Sequence, residues 1–437
     1  MANNFYFSRD TRVFMAMKHE AGASGHVYEI PVLDGYSFSQ GENATEVTLN
    51  EAADATGNSK RGRMLFKDSI APAEWSFSTY LRPTLGAAND AKGTTGEHTT
   101  AAGSPAAGQV FAVEDPLWCA MSAQNFDAGV TPGPTGTGSV HNFQNSNKVE
   151  LAEFDLYFVL GSTSSTTGSV NRTNDTAFAT TASSSNGGET VIYHMSGCSV
   201  GSATINFDID GIAQVDWAGN GKNLKEIAAL DVANDSAFST GAGGTFGETI
   251  TNDGYIYQGI TDTDNYIRQK LTSLAVAYNA SGSTGTTAGT ELASNITAYA
   301  LTLTGGSITI ENNINYLTPE TLGEVNTPLG HVMGTRSISG NFTCYLNSVE
   351  HGSLDLFEDL VESTGVITTD YDLTFNIGGA SNKPGVVVNM PRCHLEVPNH
   401  SIEDIISIDT TFHALPTNLG DSTASNSANE ISIKYMK

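Results

Sequence analysis

Apolar and polar residues alternate through most of the ordered-looking stretches of this chain. In "FDLYFVL" (154–160), Phe154, Leu156, Phe158 and Leu160 fall on one face. In "ATINFDID" (203–210), Ile205, Phe207 and Ile209 point one way, and Asn206, Asp208 and Asp210 the other. A period of two is the signature of a strand with one face buried and one wet, as in antiparallel sheet. Two segments break the alternation. "VEDPLWCAMSAQ" (113–124) reads as a short helix, and so does "HGSLDLFEDLVESTG" (351–365). In the second, Leu354, Phe357, Leu360 and Val361 carry the helical period, Ser353 is placed to cap the start, and Gly365 to stop it.

The pattern is written twice. "LDGYSFS" (33–39) matches "LTGGSIT" (303–309), and "FSTYL" (77–81) matches "FTCYL" (342–346). "DPLWCAM" (115–121) stands where "LDLFEDL" (354–360) stands, "FDLYFVLGS" (154–162) where "YDLTFNIGG" (371–379), and "MSGC" (195–198) where "MPRC" (390–393). Nineteen residues beyond each of those cysteines comes an aromatic, Trp217 or Phe412. A fainter match sets Arg9–Met17 against Arg268–Val276. Such ordered self-similarity predicts a duplication. Copy one spans 1–223, an acidic Gly-rich linker 224–263, and copy two 264–437. Each copy is expected to hold about six to eight strands and one helix, in the order β-β-β-α-β-β-β, as a small barrel or sandwich with the helix packed on it.

Copy one alone carries long low-complexity stretches at 84–108, 127–147 and 162–188, read as outward loops. Both copies keep an excursion of about 25 residues between their second and third strands: "GENATEVTLNEAADATGNSKRGRMLF" (41–66) and "ENNINYLTPETLGEVNTPLGHVMG" (311–334). A loop kept in both halves points to a shared task.

Charge narrows the function. The formal net charge is -27, from 20 basic and 47 acidic side chains. A tight nucleic-acid binder needs basic patches to displace counterions, and this chain has almost none. No apolar run reaches membrane-spanning length, and the first residues lack the basic and apolar blocks of a secretion signal. Cys119, Cys198, Cys344 and Cys393 show no CxxC spacing, and there is no HExxH, GxSxG or P-loop. "GNGKNL" (219–224) reads as a turn, and Cys393-His394 as a sheet pair rather than a metal cluster. No cofactor, metal or catalytic residue is expected.

This order of elements, with the long excursion after "YEIPVLDGYSFSQGENATEV" and "AYALTLTGGSITIENN", resembles the tail tube proteins of long-tailed phages over most of both copies. The resemblance implies a mainly β chain of two tandem tail-tube-type domains, each with one packed helix. It implies a virion tail component assembled in the host cytoplasm, not an enzyme. Three chains would form a ring that mimics six subunits, and rings would stack through the long loops. The partners implied are further copies of the chain, tail-tip or baseplate and terminator proteins, and the tape measure protein and DNA in the lumen. No membrane insertion is implied.

On that reading the wet strand faces line the channel. Ser37, Ser39, Asp208, Asp210, Ser307, Thr309 and Glu403 are the lumen-facing candidates. Ring stacking falls to the copy-one excursion. It begins with Glu42, Glu46, Glu51 and Asp54 and ends with Lys60, Arg61 and Arg63, while Val47, Leu49, Met64 and Leu65 supply apolar contact. The competing readings are another β-rich virion component, of baseplate or decoration type, and a carbohydrate-binding β-sandwich adhesin. The second would require exposed aromatic platforms, and the loops hold few aromatics.

Overall fold

The computed structural model describes residues 6–17, 26–47, 56, 64–85, 110–122, 140–143, 151, 153–162, 191–227, 266–278, 299–318, 327–362, 371–378, 384–402, 404–416 and 430–436. In the first half these form β1 (Tyr6–Met17), β2 (His26–Ile30), β3 (Ser37–Val47), β4 (Met64–Tyr80), β5 (Pro83–Leu85), β6 (Val110–Ala112), α1 (Asp115–Ser122), β7 (Val140–Phe143), β8 (Phe154–Ser162), β9 (Val191–Asp208), β10 (Gln214–Gly221) and β11 (Asn223–Ile227). The second half holds β12 (Ser273–Tyr278), β13 (Tyr299–Ala300), β14 (Leu303–Glu311), β15 (Ile314–Leu317), β16 (Gly330–Met333), β17 (Ser337–Tyr345), α2 (Ser353–Glu362), β18 (Tyr371–Ile377), β19 (Gly385–Leu395), β20 (Asn399–Ser401), β21 (Ser407–Ala414) and β22 (Ile431–Met436). The protein is mainly β, and its strand pairs are antiparallel.

One ladder occurs in each half. In the first, pairing runs β1–β8–β9–β10–β4–β3, with β11 added to β9. In the second it runs β12–β18–β19–β21–β17–β14, with β22 added to β19. The halves then join edge to edge. The last stretch of β9 pairs with β14, from Asp208 opposite Gly305 to Ser202 opposite Glu311. The strands β3-β4-β10-β9-β14-β17-β21 are thus one continuous sheet.

Alternation explains this sheet. Along β10 every second residue is buried, including Val215 and Trp217, and β17 buries Ile338, Phe342 and Cys344. These side chains meet a second layer, formed in the first half by β1, β8, the first part of β9 and α1, in one contiguous core, where Trp118 of α1 packs edge-on against Trp217 with ring centroids 4.6 Å apart. Edge-on packing suits the quadrupoles of two aromatic rings.

β8 departs from the half-wet pattern. Phe154 to Val159 are all buried, Asp155 and Tyr157 among them. The Asp155 carboxylate is satisfied by His194 Nε2 at 2.7 Å and the Gly197 amide at 2.9 Å, and Tyr157 stacks on the His194 ring. Period-two polarity hid a second buried face, because a hydrogen-bonded carboxylate can be buried. In α2, Leu356 and Leu360 are buried while Val361 is 49% exposed. Ser353 sits inside the first turn rather than before it, where its hydroxyl donates to the Tyr345 carbonyl and accepts from the Asn347 amide. Gly365 lies outside the described residues.

Backbone register also corrects two sequence matches. Val13 lies opposite Phe158 and Leu274 opposite Phe375, so β1 and β12 correspond with Val13 at Leu274, two residues from the match made on Arg9 and Arg268. Likewise Phe77 faces Trp217 but Phe342 faces Thr410, which sets Trp217 against Thr410 and Gly219 against Phe412. The aromatics have changed strands. In the first half Trp75 of β4 lies over Gly219, where a Cβ would come within 2.5 Å of its ring. In the second, Phe412 of β21 lies over Gly340, where a Cβ would again come within 2.5 Å. A large side chain opposite a glycine fills the same core volume from either side.

The stretch at 127–147 is not wholly an outward loop. It contains β7, whose His141 and Phe143 are buried and which pairs with β22 of the other half. The rest of it, and most of 84–108 and 162–188, lie outside the described residues. Residues 224–227, expected to open the linker, belong to strand β11, and 219–221 end β10, so "GNGKNL" turns only at Lys222. No described helix is long and apolar enough to cross a membrane.

Candidate functional site

The continuous sheet turns its non-core face away from the second layer. Ser37, Ser39, Asp208, Ser307 and Thr309 all lie on it, exposed or half-buried. Their neighbours there are Glu74, Ser76 and Ser78 of β4, Asp216 of β10, Thr204 and Asn206 of β9, Glu311 of β14, Ser339, Asn341 and Thr343 of β17, and Asp409, Thr411 and His413 of β21. Among the described residues of these seven strands, no Lys or Arg shares this face.

Short polar side chains tie the face together across strands. Ser37 and Ser76 hydroxyls are 2.7 Å apart, Thr204 and Thr309 3.2 Å apart across the joint, and Ser307 donates to Asn341 at 2.8 Å. Ser78 and Asn206 donate to Asp216, at 2.5 and 2.9 Å. Asn341 and Thr343 both donate to Asp409 at 3.1 Å. By ladder position Asp216 and Asp409 are counterparts, and so are Ser78 and Thr343. Both carboxylates were missed in the sequence because the match on Trp217 and Phe412 was two residues out. The usable signal was an Asp set between two buried neighbours, Val215 and Trp217 in one strand and Ile408 and Thr410 in the other.

Asp210 is not on a strand. β9 ends at Asp208, and Ile209 and Asp210 form an exposed turn. Gly211, at φ +118, completes it in a conformation that favours glycine. Asp208, Asp210, Gln214 and Thr343 rim one open cleft beside the joint. Glu403 lies outside the described residues.

The two excursions differ. β3 and β4 run on beyond the sheet as a long hairpin, paired as far as Val47 opposite Met64. Glu42 forms an ion pair with Lys67 at 2.8 Å, and Glu46 is half-buried. Met64, Leu65 and Phe66 are 60%, 63% and 55% exposed, three apolar side chains in a row. Phe66 was not among the candidates. Leu49, Glu51, Asp54, Lys60, Arg61 and Arg63 lie outside the described residues.

The second excursion folds back as the hairpin β15–β16 onto the first half. Tyr316 donates to the Gly197 carbonyl at 2.8 Å and lies 3.0 Å from that of Asn220. Asn312, buried, donates to the carbonyls of Met121 and Val200, both at 3.1 Å. Glu153 lies 3.4 Å from His331 and 2.8 Å from Lys222. The Lys222 stem crosses Gly197, where any Cβ would come within 2.6 Å of it.

The hydrogen bond with His331, and after it Lys222, holds the Glu153 carboxyl down at about 2, against burial that acts the other way. A depressed carboxyl pKa stabilises the fold above the ordinary value of 4.5 and loses that contribution as pH falls toward about 2. In acid titrations followed by tryptophan fluorescence, Glu153→Gln will therefore be less stable than the parent at pH 7. The difference will shrink between pH 4.5 and 2. A constant difference across that window would show that Glu153 does not act through its charge.

Among the described residues, the continuous sheet has an open edge at each end. β3 pairs with β4 alone, and β20 with β21 alone. Val397, Ile402 and Ile405, beside β20, are 56%, 81% and 60% exposed.

No family model matches the chain. A tail tube protein, pb6, of Escherichia phage T5 is 26% identical over 416 residues, covering 94% of this chain and 73% of that protein. Among solved structures, the SPP1 tail tube determined by solid-state NMR and cryo-EM aligns with 38% of this chain and 77% of its own, at 12% identity and a TM-score of 0.22.

Proposed function

We propose that this homologue of a phage tail tube protein is a structural protein of the virion tail. It polymerises as stacked rings whose polar sheet face lines the channel for DNA. Two fused tube domains, 1–223 and 264–437, would let three chains close a pseudo-sixfold ring. The observation that carries the reading is the joint between β9 and β14. It is an edge-to-edge union of two like ladders, and it leaves a like pair of edges open at β20 and β3. A head-to-tail contact that repeats and closes removes both edges, which would otherwise invite uncontrolled pairing.

The joint supplies a register. Cys198 and Cys393 both face the first residue of the strand before them, Phe154 and Tyr371, so β9 maps onto β19–β20 with Thr204 at Asn399 and Asn206 at Ser401. Ser307 maps onto Ser37. Since Asn206 faces Ser307 within the chain, Ser401 of one chain should face Ser37 of the next. Directly paired Cα atoms in antiparallel sheet lie about 4.5–5.5 Å apart, within disulfide reach. The double variant Ser37→Cys, Ser401→Cys, oxidised after assembly, should give covalently closed three-chain rings on a denaturing gel. Six-chain rings would sink the fused-domain reading. Absence of cross-links in assembled tubes would sink the register.

A channel face made of hydroxyls, amides and carboxylates, without Lys or Arg among its described residues, repels phosphate and offers it no strong partner. The acidic balance of the chain is then part of the function.

A further inference from the structure

β7 arises from a stretch found only in the first half and crosses to pair with β22 of the second. Its His141 enters the core beside α1. Asp115 and Cys119 stand one turn apart on that helix, so both side chains leave it on the same face. His141 Nε2 is 3.0 Å from Asp115 Oδ1. Cys119 Sγ is 3.9 Å from Asp115 Oδ2 and 3.9 Å from His141 Nδ1. One ligand atom from each residue lies within 4.8 Å of the other two. None of the three residues is more than 1% exposed. We propose that Asp115, Cys119 and His141 bind a zinc ion, which staples α1 to β7 and so fixes the strand that links the halves.

The donor set is one thiolate, one imidazole and one carboxylate, the mixture that tetrahedral zinc accepts. With bonds of about 2.0–2.3 Å, donor atoms on such an ion lie roughly 3.3–3.8 Å apart. The sulfur contacts at 3.9 Å are close to that spacing. Sγ faces Nδ1 of His141 and Oδ2 of Asp115, so these are the atoms that would join it on the ion. A fourth donor would come from water. In the metal-free protein, burial and then the neighbouring Asp115 push the Cys119 thiol well up. Zinc reverses this: the S–H bond breaks, a Zn–S bond forms, and the proton leaves to solvent. The second half has no counterpart, since Leu354 and Glu358 stand where Asp115 and Cys119 stand.

Full-length protein refolded with zinc sulfate and freed of excess metal should retain about one zinc per chain. Its zinc-edge X-ray absorption should show one sulfur at about 2.3 Å and nitrogen or oxygen at about 2.0–2.1 Å. Cys119→Ser and His141→Gln should lose the metal, and chelation should lower the melting temperature of the parent chain. No zinc retained, zinc without a sulfur neighbour, or equal zinc in Cys119→Ser would each overturn the proposal and leave a hydrogen-bonded triad. Should both variants fail to fold, the absorption spectrum of the parent chain decides alone. Tube formation is not needed for any of these readouts, so the result is independent of the tail-tube reading.

Discussion

Replacing Met64, Leu65 and Phe66 by serine should leave a folded chain that closes rings but no longer grows long tubes. These residues are more than half exposed, beyond the end of the continuous sheet, on the hairpin β3–β4. Their loss removes nothing from the core. Three consecutive exposed apolar side chains are an anomaly on a chain with a net charge of -27. Covering each contributes about 1.5–3 kcal/mol. With three chains per ring, and only the exposed part of each side chain left to cover, the sum over nine side chains is about 8 kcal/mol at the low end, enough to decide whether rings stack. The charges of the same excursion act differently. Exposed ion pairs contribute about 0–1 kcal/mol each and weaken with salt. Apolar contact should therefore govern tube length, and charge should govern its salt dependence. Electron micrographs of the triple serine variant, with circular dichroism to confirm folding, test this. Tubes of parental length would show that this hairpin does not join rings.

The strands and the helices were legible because alternation and the helical period survive divergence. Register was not. Trp75 over Gly219 and Phe412 over Gly340 fill equivalent space from opposite strands, so matching aromatic to aromatic shifted one strand by two residues. That shift hid Asp216 and Asp409, the carboxylates most firmly wired into the polar face. β8 misled for a related reason: Asp155 reads as a wet position, yet it is buried on His194. The excursions illustrate a further limit. Similar length and position predicted one task for both, but Tyr316 and Asn312 lay β15–β16 against the first half through contacts more than 90 residues away in sequence. Period and composition carry no record of such contacts. The same applies to His141, which meets Asp115 and Cys119 only because β7 crosses to β22.

Asp208→Lys combined with Glu311→Lys should leave tubes intact and slow or block DNA ejection. Both side chains are exposed on the polar face at the joint, and the Asp208 carboxylate accepts from the next amide, that of Ile209. Neither takes part in the Ser78–Asp216 or Thr343–Asp409 wiring, so the sheet should close as before. Each chain gains four units of positive charge, and in the proposed three-chain ring twelve would surround each level of the channel. Stacking of such rings would repeat this along the tube. Lysines facing phosphate release counterions and hold the polymer, an attraction that falls steeply as salt rises. Ejection from the variant should accordingly recover in high salt, while the neutral pair Asp208→Asn and Glu311→Gln should stay near the parent at all salt concentrations. A defect unmoved by salt would point to altered packing rather than charge. Normal ejection by the double lysine variant at low salt would mean that this face does not line the channel, or that its charge does not act on the DNA.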